Sequence, residues 1–445
     1  MKDDVVTWAE TEMSGIDLGD QRLNSRVVKL LESLSERPSA SIPDACDGWA
    51  ETKAAYRLLA QDKIGWEDIL EPHWARTQER MRAEPVVLCL QDTTELDFNG
   101  QTIEGLGPLS YEAQRGMYLH ATLSVTTDRV PLGVLDAWMW AREPKGKDGR
   151  RPPAIKDGTR WIEGYERVAE QAQALPEVRL VYVADREGDM LGLMQRAAAL
   201  GHPADWLLRS QHNRKLAKKG ERLWDQVAHV EACGEILFDL PSRHGQKARP
   251  VRQSVRIQRV KLPINGKMLE VSAVVATELE PPPGVKGLEW RLLTNRDVPD
   301  LEAAATLIDW YRARWEIEIF FNTLKSGCRV ESLQLASMER IERALALYLV
   351  VSWRIGQLMR LGRACPDWDA ELLLSREEWQ AAWILARKPV PQQTPTLREA
   401  VRMIARQGGF LGRKGDGEPG VKAIWNGLQK IAACVLGMRF QGTYG

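Results

Sequence analysis

Three carboxylates in this sequence have the residue types and positions from which a metal-dependent phosphoryl-transfer site could be built. Asp92 directly follows an apolar stretch of strand length, Asp185 follows a second such stretch, and Glu318 lies in a helical pattern. Carboxylate oxygens without histidine are the ligands that Mg²⁺ or Mn²⁺ prefers. Three carboxylates can bind two such ions about 4 Å apart, which suits phosphodiester transfer. The acids therefore predict a two-metal site, provided that the fold brings them together.

Each of these acids also has a purely structural interpretation. Asp92 opens an Asp-Thr-Thr segment, which is a common way for a chain to leave a strand. Asp185 could pair with Arg186 or cap the helix that follows. Further acids lie nearby in the chain, namely Asp97, Glu187 and Glu316. Taken singly, each candidate is explained at least as well by structure as by catalysis.

The residues around Glu318 follow helical periodicity from Tyr311 to Lys325. At about 100° per residue, one side is apolar and should face a core; its residues are Ala313, Ile317, Phe320 and Leu324. The opposite side is polar, with residues within roughly 60° of one another; they are Tyr311, Arg314, Glu318 and Lys325. Glu316 lies about 160° from Glu318, so both cannot point at one site. The polar side could equally be a solvated face with an Arg314–Glu318 ion pair.

The elements that must position the two aspartates read as a mixed sheet. Residues 85–91 (PVVLCLQ) and 179–184 (RLVYVA) are short apolar runs, as in buried strands. Between them, 117–126 and 131–140 predict a hairpin, and 159–175 predicts a helix. A helix at 189–200 and a strand at 206–208 follow. This order predicts the α/β fold class with an RNase-H-like core, a mixed sheet with helices on both faces.

The flanking regions predict helices at both ends and a β-rich insertion. Asp20 is a suitable N-cap for a helix that ends near Pro38, and further helices are predicted at 46–60 and 66–82. Arg22, Arg26 and Lys29 share the polar side of the first helix. Such a stripe is usually a solvated face, although it could also lie along DNA phosphates. After residue 337, helices are predicted at 338–361 and at the C-terminus, where the apolar residues are Ile424, Leu428, Ile431 and Val435.

The insertion, at about 215–297, is strand-like and locally basic. Turn signals occur at 265–266 and 281–284. Between residues 243 and 261 the chain has seven basic residues and no acid; they are Arg243, Lys247, Arg249, Arg252, Arg256, Arg259 and Lys261.

The composition excludes several other classes of protein. The 445 residues carry 61 basic and 61 acidic side chains, so DNA contacts would have to come from local patches and not from overall charge. The six cysteines and six histidines show no metal-ligand spacing, which argues against zinc and fits a reducing compartment. The N-terminal segment lacks a signal-peptide pattern, and no apolar run is long enough for a membrane span. We therefore expect a cytoplasmic protein that does not enter membranes.

Several segments resemble the bacterial cut-and-paste DDE transposases of the insertion-sequence-four family. The resemblance rests on LQDTT (90–94), ADREGD (184–189) and the Tyr-x2-Arg-x3-Glu-x6-Lys spacing of 311–325. It extends to LGDQRLNSR (18–26), AAYRLL (54–59) and the C-terminal segment 404–420. It implies that Asp92, Asp185 and Glu318 are catalytic and bind two Mg²⁺ or Mn²⁺ ions. One departure is Gly188, at a position that the family pattern often fills with alanine; it leaves the acid in place.

The resemblance also implies which residues contact DNA. Tyr311, Arg314 and Lys325 match residues that grip DNA near the cut, and Arg209 matches a further arginine close to the site. Trp290 matches a tryptophan that stabilises a base flipped out of the duplex. Arg22 and Arg26 would belong to the N-terminal DNA-binding domain. Arg209 could instead be a solvated cation at a strand end, and Trp290 could be a core residue, since tryptophan entering a strand is usually buried.

The expected organisation is a helical DNA-binding domain at 1–80, the catalytic core at 81–362 with its insertion, and a helical C-terminal dimerisation region at 363–445. The expected function is a transposase that binds double-stranded DNA, both terminal inverted repeats and target. It would nick, form a hairpin and transfer strands as a homodimer in a synaptic complex on the bacterial nucleoid.

Two other classes of protein stay open: a structure-specific nuclease of the same fold without strand transfer, and a non-catalytic DNA-binding regulator. The three acids argue against the regulator. The Tyr-Arg-Lys set with Trp290 argues against the nuclease.

Overall fold

The computed structural model describes residues 7–146, 158–218, 220–240, 248–264 and 266–444, with side chains up to residue 438. The helices are, in chain order, α1 (Trp8–Glu12), α2 (Gln21–Glu36), α3 (Ile42–Ala45), α4 (Trp49–Leu59), α5 (Trp66–Arg82), α6 (Thr159–Ala174), α7 (Leu191–Ala199), α8 (Leu223–Ala228), α9 (Leu301–Ala313), α10 (Trp315–Asn322), α11 (Met338–Ala364), α12 (Arg376–Leu385), α13 (Leu397–Gln407) and α14 (Val421–Tyr444). The strands are β1 (Val86–Asp97), β2 (Gly107–Pro108), β3 (Arg115–Thr126), β4 (Pro131–Trp140), β5 (Arg179–Ala184), β6 (Asp205–Arg209), β7 (Gly234–Leu240), β8 (Arg249–Ile264), β9 (Lys267–Glu278) and β10 (Glu289–Thr294).

The chain folds into two compact units. The first contains Met1–Ala83, Thr93–Ala154 and Glu316–Gly445, and the second contains Glu84–Asp92 and Ile155–Trp315. The chain passes between the two units four times: after Ala83, after Asp92 within β1, after Ala154 and after Trp315. The domain boundaries predicted at residues 80 and 362 stay predictions.

The second unit is built on a mixed sheet with the strand order β1-β5-β6-β10-β9-β8-β7. The first three strands are parallel, and from β6 onward each pair is antiparallel. Helix α6 lies close against this sheet, where a Cβ atom at Gly164 would sit 2.2 Å from Oε1 of buried Gln91. The strands of the predicted insertion therefore extend the sheet past β6.

The first unit packs a hairpin against helices. Strands β3 and β4 pair antiparallel, and the backbone N–H of Phe98, directly after β1, donates to the carbonyl of Arg115 at the start of β3. Strand β4 packs on α5 and α11. The indole of Trp353 donates to the carbonyl of Pro131 over 3.0 Å, and the N–H of Val134 donates to Nε2 of buried His73 over 2.9 Å. These bonds pair polar groups that the apolar core would otherwise leave unsatisfied.

Most of the predicted elements are confirmed, and several need correction. Asp20 caps α2 through a bond from the Arg22 N–H, and the hairpin, α5, α6, β5 and α11 lie where periodicity placed them. Strand β1 does not end before Asp92, because it continues to Asp97. Helix α8 lies inside the segment predicted to be strand-like. Helix α12 was not predicted, because its short pattern lies between long loops.

The helix predicted from Tyr311 to Lys325 is interrupted twice. Helix α9 ends at Ala313, and α10 begins at Trp315. Between them, the Arg314 N–H donates to the Tyr311 carbonyl, which is three residues back and not four as in an α-helix. Residues Thr323–Gly327 form a π turn, in which the Cys328 N–H bonds to the Thr323 carbonyl five residues back. A constant 100° per residue therefore does not give the direction of Lys325.

The two faces of this segment differ in how well they were predicted. The apolar face is confirmed, because Ala313, Ile317, Phe320 and Leu324 are all buried. The polar face is not solvated as one alternative held, since Tyr311 and Arg314 are each only 4% exposed.

The basic stretch of the insertion is neutralised by its neighbours. Arg243 and Lys247 lie outside the described residues, as does Asn265 of a predicted turn. Arg249 pairs with Glu278, Arg252 with Glu280, and both Arg259 and Lys261 with Glu270. These acids lie on or just after β9, the antiparallel partner of β8, so the charge density seen in sequence does not become a bare cationic surface.

The apolar face of α14 is covered within the chain. Ile424, Leu428, Ile431 and Val435 are at most 7% exposed, and α14 packs on α13 and α12. This face therefore belongs to the core of the first unit.

Glu342 on α11 provides a test of how α11 packs against α5. Burial raises its pKa to about 7, and the charges of Glu339 and Glu67 add to the rise. A raised folded-state pKa stabilises the fold at low pH, and this stabilisation is lost as pH rises from about 4.5 through 7. We expect Glu342→Gln to be more stable than the wild type at pH 8 by about 1–3 kcal/mol, with the difference vanishing near pH 4.5. Urea unfolding at both pH values measures this. The control is Glu71→Gln at an exposed position of α5, which should change stability by about 0.5 kcal/mol or less at either pH.

Candidate active site

Asp92 and Asp185 are brought side by side by the register of two parallel strands. In the β1–β5 pair, Gln91 lies opposite Ala184. Asp92 is the next residue of β1 and Asp185 directly follows the last residue of β5, so they lie at the same height on neighbouring chain segments, where strands are spaced about 4.8 Å apart. Their side chains are 24% and 30% exposed. Asp92 lies inside β1 and not beyond its end. It still lies beside Asp185, because β5 ends at Ala184, which is opposite Gln91.

Arg314 lies between the two carboxylates. Its Nη1 donates to Oδ2 of Asp92 over 2.9 Å, and its Nη2 lies 3.7 Å from Oδ2 of Asp185. Two carboxylates about 5 Å apart would repel each other by about 3 kcal/mol at an effective dielectric constant of 20. The buried guanidinium offsets this repulsion. The tight turn at Arg314 between α9 and α10 places it there.

Two further predicted residues surround Asp185. The Tyr311 hydroxyl lies 3.4 Å from Oδ1 of Asp185, and Nη1 of Arg209, at the end of β6, lies 3.8 Å from the same oxygen. Burial and the charge of Asp185 raise the pKa of Tyr311 to about 12. The phenol therefore stays protonated at neutral pH and can donate to the carboxylate. Asp185 also accepts a bond from the N–H of Arg186, as the structural interpretation held, and this does not displace the other contacts.

Trp290 lies next to Tyr311 and is half-buried. The two rings meet edge to face with centroids 6.5 Å apart. On strand β7 of the insertion, Phe238 stacks on Trp290 at 5.4 Å, and the Arg312 guanidinium lies 4.3 Å from the centre of the Phe238 ring. Trp290 is thus neither a fully buried core residue nor an isolated surface aromatic, and it joins the insertion to the residues around Asp185.

Sequence reasoning missed Asp189, which ties together the segments that carry Asp185 and Arg209. Asp189 is 2% exposed and accepts bonds from Ser210 Oγ, from the N–H groups of Gln211 and His212, and from Arg214 Nη1. The available signal was a second aspartate four residues after Asp185.

The turn that leads to Asp189 lies directly on β5. A Cβ atom at Gly188 would lie 2.6 Å from Cβ of Ala184, so the alanine of the family pattern would not fit here.

Glu318 and Lys325 belong to the first unit, and both are half-buried. Lys325 donates to the Glu95 carbonyl over 2.8 Å and pairs with Glu331 at 3.2 Å.

The nearby acid Glu316 is buried and bound to Arg360, with Nε and Oε2 2.8 Å apart. Burial raises the pKa of Glu316. Glu316 is therefore committed to the core, as the predicted angle between it and Glu318 requires. Among the neighbouring acids, Asp97 caps the turn at Asn99.

Arg22 and Arg26 lie on α2, the first exposed and the second half-buried. The third cation of this stripe, Lys29, pairs with Glu51 of α4 at 2.7 Å. The structure thus leaves Arg22 and Lys29 exposed, with Lys29 paired to an acid of the neighbouring helix.

The residues of the second unit fit a divalent metal ion in part. The carboxylates of Asp92 and Asp185 are adjacent oxygen donors of the kind that Mg²⁺ and Mn²⁺ prefer. Among the residues that the structure describes, no group of three or more His, Cys, Asp or Glu side chains is arranged to hold a metal ion. Glu318 as a third ligand, and the identity and number of the ions, stay predictions.

Comparison with known families gives three matches along the chain. A transposase DNA-binding domain matches residues 6–64, a transposase DDE domain matches residues 162–353, and a Tn5 transposase dimerisation domain matches residues 350–445. Asp185 and Glu318 lie inside the DDE match, and Asp92 precedes it. A DDE domain has an RNase-H-like core, which agrees with the fold class predicted from the strand order.

Among solved structures, the chain is similar to a piggyBac transposase in a synaptic complex with hairpin DNA. The similarity covers 92% of this chain and 79% of that one, at 10% identity and a TM-score of 0.40. In the described part of the chain, no helix is long and apolar enough to span a membrane.

Together with the paired aspartates, the family matches define the class of protein: the chain is a DDE transposase, an enzyme that acts on DNA. Within that class it is related to the Tn5 transposase, whose dimerisation domain it carries at the C-terminus. DNA binding and dimer formation are thereby supported for this chain.

The buried tie at Asp189 gives a prediction for the site's framework. Asp189→Asn leaves the guanidinium of Arg214 buried without its counter-charge. The new amide can keep one acceptor oxygen toward the backbone N–H groups, but its NH₂ group then faces Arg214. Breaking a buried pair of this kind costs about 3–5 kcal/mol. We expect a fall of that size in the free energy of unfolding, measured by urea titration. The control is Asp225→Asn, since exposed Asp225 accepts only a surface bond from Asn213 and should change stability by about 0.5 kcal/mol or less. Equal effects at both positions would contradict the assignment.

Proposed function

We propose that this transposase binds the terminal inverted repeats of a mobile element and cuts and rejoins DNA at Asp92, Asp185 and Glu318. The steps proposed are nicking, hairpin formation on the opposite strand, and strand transfer into target DNA. The observation that carries the proposal is the Asp92–Arg314–Asp185 group, which places two carboxylates and a cation at one point of a chain with transposase domains. The element would be one of the bacterial insertion-sequence-four type.

The protein's part in the chemistry would be to hold charge in place. Asp92 and Asp185, with Glu318 as a proposed third carboxylate, would hold Mg²⁺ or Mn²⁺, which when bound activates the attacking oxygen and stabilises the leaving one. Tyr311 would keep Asp185 oriented by donating its hydroxyl proton toward Oδ1. Arg209, 3.8 Å from the same oxygen, is placed where a phosphate of the DNA backbone could bind.

Other residues would hold DNA away from the reacting bond. Arg22 and Arg26 on α2 would lie along phosphates, and Lys325 would contact DNA near the cut. Phosphate contacts of this kind supply most of the affinity and make it salt-dependent. A homodimer would bring two DNA ends together, and it would use surfaces other than the apolar face of α14, which the chain itself covers.

The acids give the first test of this function. Asp92→Ala, Asp185→Ala and Glu318→Ala should each lower metal-dependent nicking by about 10³-fold or more, because each removes a charge that acts in the transition state. Binding to the repeat should stay within about threefold, since cations supply the affinity. Sequencing the DNA beside the reading frame for inverted repeats provides the substrate. Nicking is measured on end-labelled DNA and binding by gel shift.

The matched control is Asp97→Asn, which alters an acid on the same strand as Asp92. It should nick at close to the wild-type rate. If Glu318→Ala also nicks normally, the third carboxylate has been misassigned.

Trp290 distinguishes a transposase that forms hairpins from a nuclease of the same fold. A hairpin requires the duplex end to bend sharply, and flipping out a base relieves the bend at a cost of a few kcal/mol. Trp290 is half-buried, backed by Phe238 and next to Tyr311, and this supports the proposal that such a base stacks on it. Stacking on an aromatic side chain returns about 1–3 kcal/mol. Nicking needs no such distortion.

We therefore expect Trp290→Ala to nick normally and to slow hairpin formation by about 10–100-fold. Trp290→Phe should recover part of the loss because it keeps an aromatic face. A time course on denaturing gels separates nicked DNA from hairpins. Parallel loss of both steps would mean that Trp290 supports the fold only, and no loss of either would remove it from the site.

A further inference from the structure

The position of Arg314 has a consequence for metal binding. Its guanidinium contacts Oδ2 of both Asp92 and Asp185, at 2.9 and 3.7 Å, with its side chain only 5% exposed. These carboxylate oxygens are the donors that a divalent cation would use. A metal ion placed there would meet a fixed positive charge within a few ångströms, in surroundings that screen charge poorly. Arg314 and the metal therefore compete for the same carboxylates.

We propose that Arg314 acts as an internal counter-ion, which holds Asp92 and Asp185 until DNA is bound and then exchanges its carboxylate partners for a DNA phosphate. Metal binding is thereby coupled to DNA binding. An arginine is suited to both partners, because its planar fork matches carboxylates and phosphates alike. The turn between α9 and α10 gives its side chain a fixed starting point. The part of this proposal that involves DNA rests on the proposed function.

The proposal is tested by the affinity of the DNA-free protein for Mn²⁺, measured from free Mn²⁺ by electron paramagnetic resonance. We expect Arg314→Gln to bind Mn²⁺ about tenfold more tightly than the wild type, which is the scale of one poorly screened charge. Arg314→Lys keeps a cation and should bind weakly, as the wild type does. The double variant Arg314→Gln with Asp92→Asn should lose the gain, which separates this site from other carboxylates of the surface.

The matched control is Arg312→Gln. This variant also removes one positive charge, but two residues away from Arg314. The Arg312 side chain pairs with Asp309 and lies over Phe238. Its Mn²⁺ affinity should equal that of the wild type. If Arg314→Gln also binds Mn²⁺ as the wild type does, the competition does not exist and the proposal is overturned.

A second measurement tests the coupling to DNA and can be decided on the wild-type protein alone. Adding a 20-base-pair duplex at low salt should raise the Mn²⁺ affinity of the wild type by about tenfold and that of Arg314→Gln by much less. A duplex that leaves the wild-type affinity unchanged overturns the coupling even if Arg314→Gln fails to fold.

Neither measurement uses cleavage. If the acid variants still cut DNA, the proposed function fails, but the measured Mn²⁺ affinities are not affected. If the acid variants fail to cut DNA as expected, while Arg314→Gln and the wild type bind Mn²⁺ equally well, only the proposed role of Arg314 is overturned.

Discussion

The compensation of Asp92 and Asp185 by Arg314 is the interaction on which the geometry of the second unit's site depends. The register of β1 and β5 forces two carboxylates to the same height on neighbouring strands. Such a pair is unfavourable unless a cation meets it. The cation is Arg314, the residue between α9 and α10, whose backbone stays in the right-handed helical region. This helical segment and the regular pairing of the sheet therefore bring the same group of charges together.

The rest of the second unit supports this group from two directions. Asp189, buried beneath the turn after β5, collects four donors from the segment after β6, so the residues beside Asp185 and Arg209 cannot move independently. From the other side, β10 and β7 bring Trp290 and Phe238 against Tyr311. The insertion is thus a continuation of the same sheet, and it supplies aromatic surface close to the aspartates.

Many charged side chains elsewhere in the described part of the chain form ion pairs with their neighbours. Five of the seven basic residues counted between 243 and 261 lie in the described part of the chain, and Arg249, Arg252, Arg259 and Lys261 pair with acids of the neighbouring strand or the turn that follows it. In the first unit, Arg360 neutralises the buried Glu316, and Arg80 and His73 contact the buried Glu12. Burial alone would raise the pKa of Glu12, but His73 and Arg80 together outweigh that effect and lower it to about 2. Many of these cations are thus paired within the fold, so a cation's role cannot be inferred from the density of charge in the sequence.

The sequence alone predicted most of the elements and singled out the two aspartates as candidates. The apolar runs before Asp92 and Asp185 are long enough to be strands whatever surrounds them, and the apolar stripe from Ala313 to Leu324 must face a core, because local periodicity is a property of the chain. The motif resemblance then selected these two acids from several, and family comparison confirmed the class. Tertiary structure decided the rest. Only strand register could show that Asp92 lies beside Asp185 from within a strand, and only packing could bury Arg314 between them, tie Asp189 to Arg214, or neutralise the basic strand. Each of these depends on residues far apart in sequence, whose pairing no local pattern encodes.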